Sequence, residues 1–163
     1  MAVATDILAS YRRPRPVFRR RLANGVDEGR SLSILIVACA LIFASQWPGI
    51  ARAAYLDPAI PLDARMGGAL IASMFMLPLI AYALAATSHL VARLFGGQGS
   101  FGTARLALFW ALLAVSPLML LQGLVRGFVG PGPGLTVTGV LVMIAFGVFW
   151  GVALREAERA EWT

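Results

Sequence analysis

Four apolar runs, each long enough to cross a hydrocarbon core that takes roughly 20 helical residues, alternate along the chain with short clusters of arginine, glycine and proline. They fall at about 31–50, 66–94, 104–128 and 135–154. The pattern predicts an all-α integral membrane protein with four transmembrane helices. The first run, SLSILIVACALIFASQWPGI, is the shortest, and Trp47-Pro48-Gly49 is expected to close it with an interfacial aromatic followed by helix breakers. Pro78 and Pro117 lie in mid-run, where a packed membrane helix kinks rather than breaks. Gly130-Pro131-Gly132-Pro133-Gly134 is a short, rigid connection, so the last two runs must form an antiparallel hairpin.

Three regions follow: a basic cytoplasmic or interfacial arm over 1–30, a helical membrane domain over 31–155 and a short cytoplasmic tail over 156–163. The basic leader, the first apolar run and Ala51-Arg52-Ala53 together also resemble a signal peptide. A leader of this length is long for one, and the first span is expected to be retained.

Composition agrees with a membrane protein. A chain of 163 residues that is 59% hydrophobic and only 13% charged, with a mean hydropathy of +0.78, lacks the charge a soluble surface requires. Its 14 basic residues are all arginines, set against 8 acids for a net charge of +6, and half of them precede position 31. The arm, the 93–105 loop and the chain from Arg155 onward hold every arginine except Arg52, Arg65 and Arg126. The positive-inside rule therefore places both N- and C-termini in the cytoplasm. Such a distribution points to phospholipid as a partner and away from nucleic acid, for which neither a soluble face with stacking aromatics nor a recognised module is present. The residues expected at lipid headgroups or a partner are Arg12, Arg13, Arg15, Arg19, Arg20, Arg21, Arg93, Arg105 and Arg126, the last by snorkelling at the outer surface. Within the arm, Thr5 to Tyr11 can start a short helix that Pro14 and Pro16 stop, and Val17, Phe18 and Leu22 are expected to dip into the acyl boundary.

Inside the spans, ionisable groups are nearly absent, which argues against a pump built on a buried carboxylate. His89, the only histidine, has no Cys, Asp or Glu at ligand spacing and reads as structural, able to reach headgroups or water. Gln122 and Arg126, one turn apart, share a face near the end of the third span. With Ser116 they either line a shallow polar notch or bond to neighbouring helices. Gly123 with Gly127, and Gly147 with Gly151, form two G-x-x-x-G surfaces for helix packing, within the bundle or against another membrane protein. Glu156, Glu158 and Glu161 alternate with Arg155 and Arg159 as in a solvated helix end. Nucleophile, base and orienting acid do not occur together, and no metal or haem spacing is present. No enzyme activity, cofactor or metal is expected.

One motif looks like chemistry. Gly97-Gln98-Gly99-Ser100-Phe101-Gly102 reads as G-x-G-x-x-G, but a dinucleotide site needs a preceding strand and an acid about 20 residues on. A membrane helix precedes this one and another apolar run follows. Gly96, Gly97, Gly99, Ser100 and Gly102 are instead expected to form a cytoplasmic hairpin, with Ser100 or Thr103 capping the next helix. The surrounding stretch SHLVARLFGGQGSFGTARLALFWALLAVSPLML resembles the Yip domain family of small polytopic membrane proteins, particularly its bacterial branch. YRRPRPVFRRRL is similar to the family's proline-arginine segment before the first span, and GVALREAE to its leucine-arginine-glutamate exit from a later one.

The resemblance implies a helical membrane domain with a cytoplasmic N-terminus and no established catalysis. In eukaryotic members it implies binding of Rab-type GTPases, although the long soluble N-terminal region of many of those is absent here. Such proteins usually have five spans, and this chain ends soon after its fourth. The expectation is a non-enzymatic protein of a bacterial inner (cytoplasmic) membrane. It would act as a scaffold, membrane-organising factor or accessory subunit beside another integral membrane protein or a second copy. The alternative is a small permease component that contacts a polar or anionic solute through Ser116, Gln122 and Arg126. Reporter fusions after Gln98 should read cytoplasmic and fusions after Gly132 periplasmic; the opposite reading at either site removes the four-span topology.

Overall fold

The computed structural model describes residues 3–159. It contains helices and no strand among them: α1 (Val3–Arg12), α2 (Pro14–Ala23), α3 (Glu28–Leu56), α4 (Leu62–Ile71), α5 (Leu77–Leu94), α6 (Phe101–Phe128) and α7 (Pro133–Ala157). A π-helical turn over Ala72–Met76 joins α4 to α5, so that Leu62–Leu94 is one continuous helical span. Four helical segments, α3, α4 with α5, α6 and α7, are long and apolar enough to cross a membrane, and the chain is a multi-pass membrane protein. Since their number is even, both chain ends lie at one end of the bundle, here the terminal end; the opposite end is distal.

The observed helices run past the expected limits by three or more residues at several ends. The largest difference is α3, which continues through Trp47-Pro48-Gly49 to Leu56. Pro48 is tolerated because it removes only one ladder bond, and a span packed along its length survives that loss. Pro117 likewise lies inside α6. Pro78 follows directly on the π-helical turn, where the wider ladder already departs from α-helical bonding. Residues 160–163, which complete the expected tail and include Glu161, lie outside the described residues.

The axis of the bundle is α6. From Thr103 to Ser116 nearly every side chain on it is buried, Arg105 being the exception. α3 packs along one flank and α7 along another, while α5 covers a third through Ala81 and Ala85. At the terminal end the remaining opening is filled by the arm. Val17, Phe18 and Leu22 are buried in the protein core with Leu35, Phe109 and Ala153, rather than exposed for the acyl boundary as expected. Tyr11 donates to the Ala114 carbonyl at 2.9 Å and sets its ring edge-on to Phe149.

The two G-x-x-x-G pairs fare differently. A β-carbon on Gly123 would overlap the Ser45 carbonyl, and one on Gly127 would lie 2.8 Å from the Pro48 carbonyl carbon. These two glycines let α6 and α3 meet backbone to backbone. Gly147 and Gly151 have no described atom within 4 Å of such a β-carbon, so they pack against no other helix of the bundle. Ser116, expected near Gln122 and Arg126, is buried and donates to the Leu113 carbonyl of its own helix at 2.8 Å.

Gly123→Ala should therefore lower stability by about 1–3 kcal/mol through overpacking, whereas Gly151→Ala should change it by less than about 0.5 kcal/mol. Unfolding midpoints in detergent micelles measure both, and the reverse ranking would contradict the α3–α6 approach.

Candidate functional site

Polar side chains converge at the terminal end, where the arm, the glycine hairpin and the end of α7 meet. The hairpin is built first. α5 ends with Gly96 in the left-handed region (φ 87°), and the Gly96 and Gly97 amides bond back to the Arg93 and Ala92 carbonyls, a glycine stop that satisfies the last carbonyls of the helix. α6 then starts with the expected cap: Ser100 Oγ accepts from the Thr103 amide at 3.2 Å, and Thr103 Oγ1 accepts from the Ser100 amide at 2.9 Å.

Between these two caps the hairpin closes on the end of α7. Gln98 donates its amide to the Glu158 carbonyl at 3.0 Å, and Gly99 donates to Glu158 Oε2 at 3.1 Å. The other carboxylate oxygen, Oε1, lies 2.8 Å from His89 Nδ1. His89 is buried and packs edge-on against Phe101 at 4.5 Å. Gly97 and Gly99 leave no room for a side chain: a β-carbon on Gly97 would lie 2.7 Å from Glu158 Oε2 and 2.9 Å from the Ala92 carbonyl oxygen, and one on Gly99 would overlap the Ala157 carbonyl. His89 therefore reaches neither headgroups nor water, and Glu158 is not a solvated residue.

Glu156 departs from expectation in the same way. Its side chain is only 3% exposed and faces Arg15 at 3.8 Å, Arg19 at 3.7 Å and Arg159 at 3.5 Å, which ties α2 to the end of α7. Two further acids act similarly. Asp6 holds Arg21 at 2.8 Å, and the Arg21 guanidinium stacks 3.6 Å over the Trp110 ring. Burial draws the Arg21 pKa down, and the Asp6 charge pulls it back. Burial also pushes the Tyr11 phenol above its ordinary value, which keeps it a donor to Ala114. Glu28, at the start of α3, takes Arg105 of α6 at 2.9 Å and the Tyr82 hydroxyl of α5 at 3.1 Å.

The arginines named from the sequence thus differ in their surroundings. Arg15, Arg19, Arg21 and Arg105 are spent on contacts between elements. Arg12, Arg13 and Arg20 rim a groove of about 880 Å³ between α1 and α2, floored by Leu8, Tyr11 and Val17. Arg93 and Arg126 have no partner among the described residues. Gly102 sits beside Val26, in the link from α2 to α3. A second groove, of about 530 Å³, runs between α5 and α7 and is lined by Val91, Phe95, Trp150 and Leu154 with Gly147 and Gly151. Thr87 and Ser88, on its α5 side, donate to carbonyls of their own helix.

Asp6, Glu158 and the pairing of Glu156 with Arg15 and Arg19 were not legible in the sequence, because each pairs across a turn of the fold; Glu156 with Arg159 is a near-neighbour i,i+3 pair, which sequence spacing does report. The available signal was scarcity: with so few acids beside long apolar runs, any acid at a helix end has a cation to meet. Replacing Glu158 by Ala removes a charged acceptor worth about 1.5–3 kcal/mol. Amide exchange at Gly99, followed by mass spectrometry in micelles, should then accelerate at least about tenfold, and an unchanged rate would show that Glu158 does not hold the hairpin.

Comparison with known proteins agrees with this architecture. The family model for the Yip1 domain matches residues 8–163, which takes in most of the arm, all four spans and the glycine hairpin. Neither the comparison with curated proteins nor that with solved structures returns a match. With the match covering nearly the whole length, the chain belongs to the Yip1 domain family.

Proposed function

We propose that this Yip1-domain protein is a non-enzymatic scaffold, membrane-organising factor or accessory subunit of a larger complex in a bacterial inner membrane, with its termini in the cytoplasm. The observation that carries the reading is how its titratable groups are used. Asp6, Asp27, Glu28, Glu156 and Glu158, the described acids of the terminal end, each hold a cation, a histidine or a backbone amide of the fold. His89 and Glu156 are also buried, which keeps a substrate from reaching them to exchange a proton.

What remains open is surface of a binding kind. Arg12 and Arg13 stand over an apolar floor at the terminal end, an arrangement suited to anionic headgroups and to a partner segment that brings acids and apolar side chains together. The uncovered Gly147 and Gly151 offer close approach to a helix of another membrane protein or a second copy. The arm is tied to α7 through Glu156 and to α6 through Tyr11, so a partner grasping the arm also grasps the bundle.

Crosslinking in the membrane from a cysteine placed at Arg12 should yield a discrete adduct with an integral membrane protein. The same partner should co-purify in stoichiometric amount in mild detergent. Saturable solute uptake by liposomes containing only this protein, abolished by Arg126→Ala, would instead establish a permease and overturn the scaffold reading.

A further inference from the structure

Three arginines lie toward the distal end, and two are accounted for. Arg65 holds Asp57 at 2.9 Å. Arg52 donates to the Gly127 carbonyl at 3.2 Å, at the carbonyl end of α6 where a helix dipole favours a cation. Arg126 has neither a carboxylate nor a carbonyl partner among the described residues, although its side chain is not simply extended away from the protein. A β-carbon on Gly49 would meet Arg126 Cδ at 2.8 Å and Nε at 3.1 Å, so the Arg126 stem lies across the bare backbone of α3 at Gly49.

One turn deeper, Gln122 is seated in the same manner. Its side-chain nitrogen would lie 3.1 Å from a β-carbon on Gly139 of α7, and the amide makes no hydrogen bond to a described residue. These two side chains, with Ser45 and Gln46, line a notch of about 370 Å³ between α3, α6 and the start of α7, whose apolar wall is Ile42, Met119 and Leu135 beside Gly123. Gln46 already donates to Ser73 Oγ at 2.8 Å, and Ser45 donates to the Ile42 carbonyl. The unsatisfied donors are therefore the Arg126 guanidinium and the Gln122 amide. Trp47, Leu121 and Leu124, on the same stretches of α3 and α6, are exposed, as side chains that meet acyl chains are.

We propose that this notch binds one phospholipid of the distal leaflet, with the headgroup phosphate on Arg126 and Gln122 and an acyl chain along Ile42, Met119 and Leu135. A guanidinium and an amide, both donors, facing a site without an acid, match a phosphodiester oxygen pair. The apolar wall beside them matches a chain that a free anion lacks. Gly49 and Gly139 are the positions that leave room for the two donors to turn into the notch. The site is independent of the scaffold reading, since it lies at the end of the bundle away from the arm.

Full-length protein in mild detergent, titrated with dioleoyl phosphatidylglycerol and read by native mass spectrometry, tests the assignment. Wild type should retain one lipid more tightly than the rest, and R126Q should weaken that step about tenfold or more, the loss of one charge-assisted contact. R65Q, which removes a distal arginine already paired, should retain it. G49A keeps the charge but displaces the Arg126 stem and should behave like R126Q. Should R126Q fail to fold, as read by its thermal midpoint, G49A decides in the same way. Equal retention by wild type, R126Q and G49A would overturn the site. Displacement of the tight lipid by millimolar inorganic phosphate would overturn the lipid assignment in favour of a free-anion site.

Discussion

Helices within a bilayer gain little from burying apolar surface against one another, because lipid tails are as apolar as leucine. Close backbone approach has to supply what hydrophobic burial supplies in water, and here it occurs where Gly123 and Gly127 of α6 meet Ser45 and Pro48 of α3. Much of the distal half follows from that contact. It brings Arg52 of α3 within reach of the last carbonyls of α6, lays the Arg126 stem over Gly49, and opens the notch beside Ser45 and Gln122. With α3 fixed on one flank of α6, another flank is left to α7, and the arm fills the opening that remains at the terminal end.

The terminal half is held by a different force. There the chain spends its few acids one at a time, each at the end of a helix or in the arm, and three of them join elements distant in sequence. Glu28 links α3 to α5 and α6; Glu158 links α7 to α5 and the hairpin; Glu156 links α7 to the arm. A half-buried ion pair is a modest source of stability and a strong source of register, since a single broken partner leaves a charge without compensation. The distal half is thus fixed by shape and the terminal half by charge.

How much of this could be read from the chain depends on the range of the signal. Apolar runs report the four spans directly, because membrane thickness sets a length that composition must satisfy. The Ser100 cap of α6 was legible because capping is a contact between near neighbours. The limits of α3 were not, since Pro48 stops a helix in water but not one sheathed by α6 along the same stretch. Gly123 and Gly127 lie against the backbone of α3, whereas β-carbons on Gly147 and Gly151, which carry the same spacing, would meet no described atom within 4 Å. Spacing tells that a helix has a smooth face and is silent on which neighbour stands opposite. His89 and Glu158 looked unrelated because 69 positions separate them, and only the hairpin turn brings α5 back beside the end of α7.

The π-helical turn before Pro78 divides one long span into two pieces whose faces are phased separately. Its wider ladder rotates everything that follows relative to what precedes. Ahead of Pro78, Ser73 faces α3 through Gln46; beyond it, Ala81, Ala85 and His89 form a buried row at one-turn spacing, with His89 meeting Glu158 at its end. A uniform α-helix would have to serve two partners with a single stripe. This span behaves as a crankshaft, and the sequence that mates its upper throw to α3 can drift in register without disturbing the lower throw that seats against α6 and the end of α7.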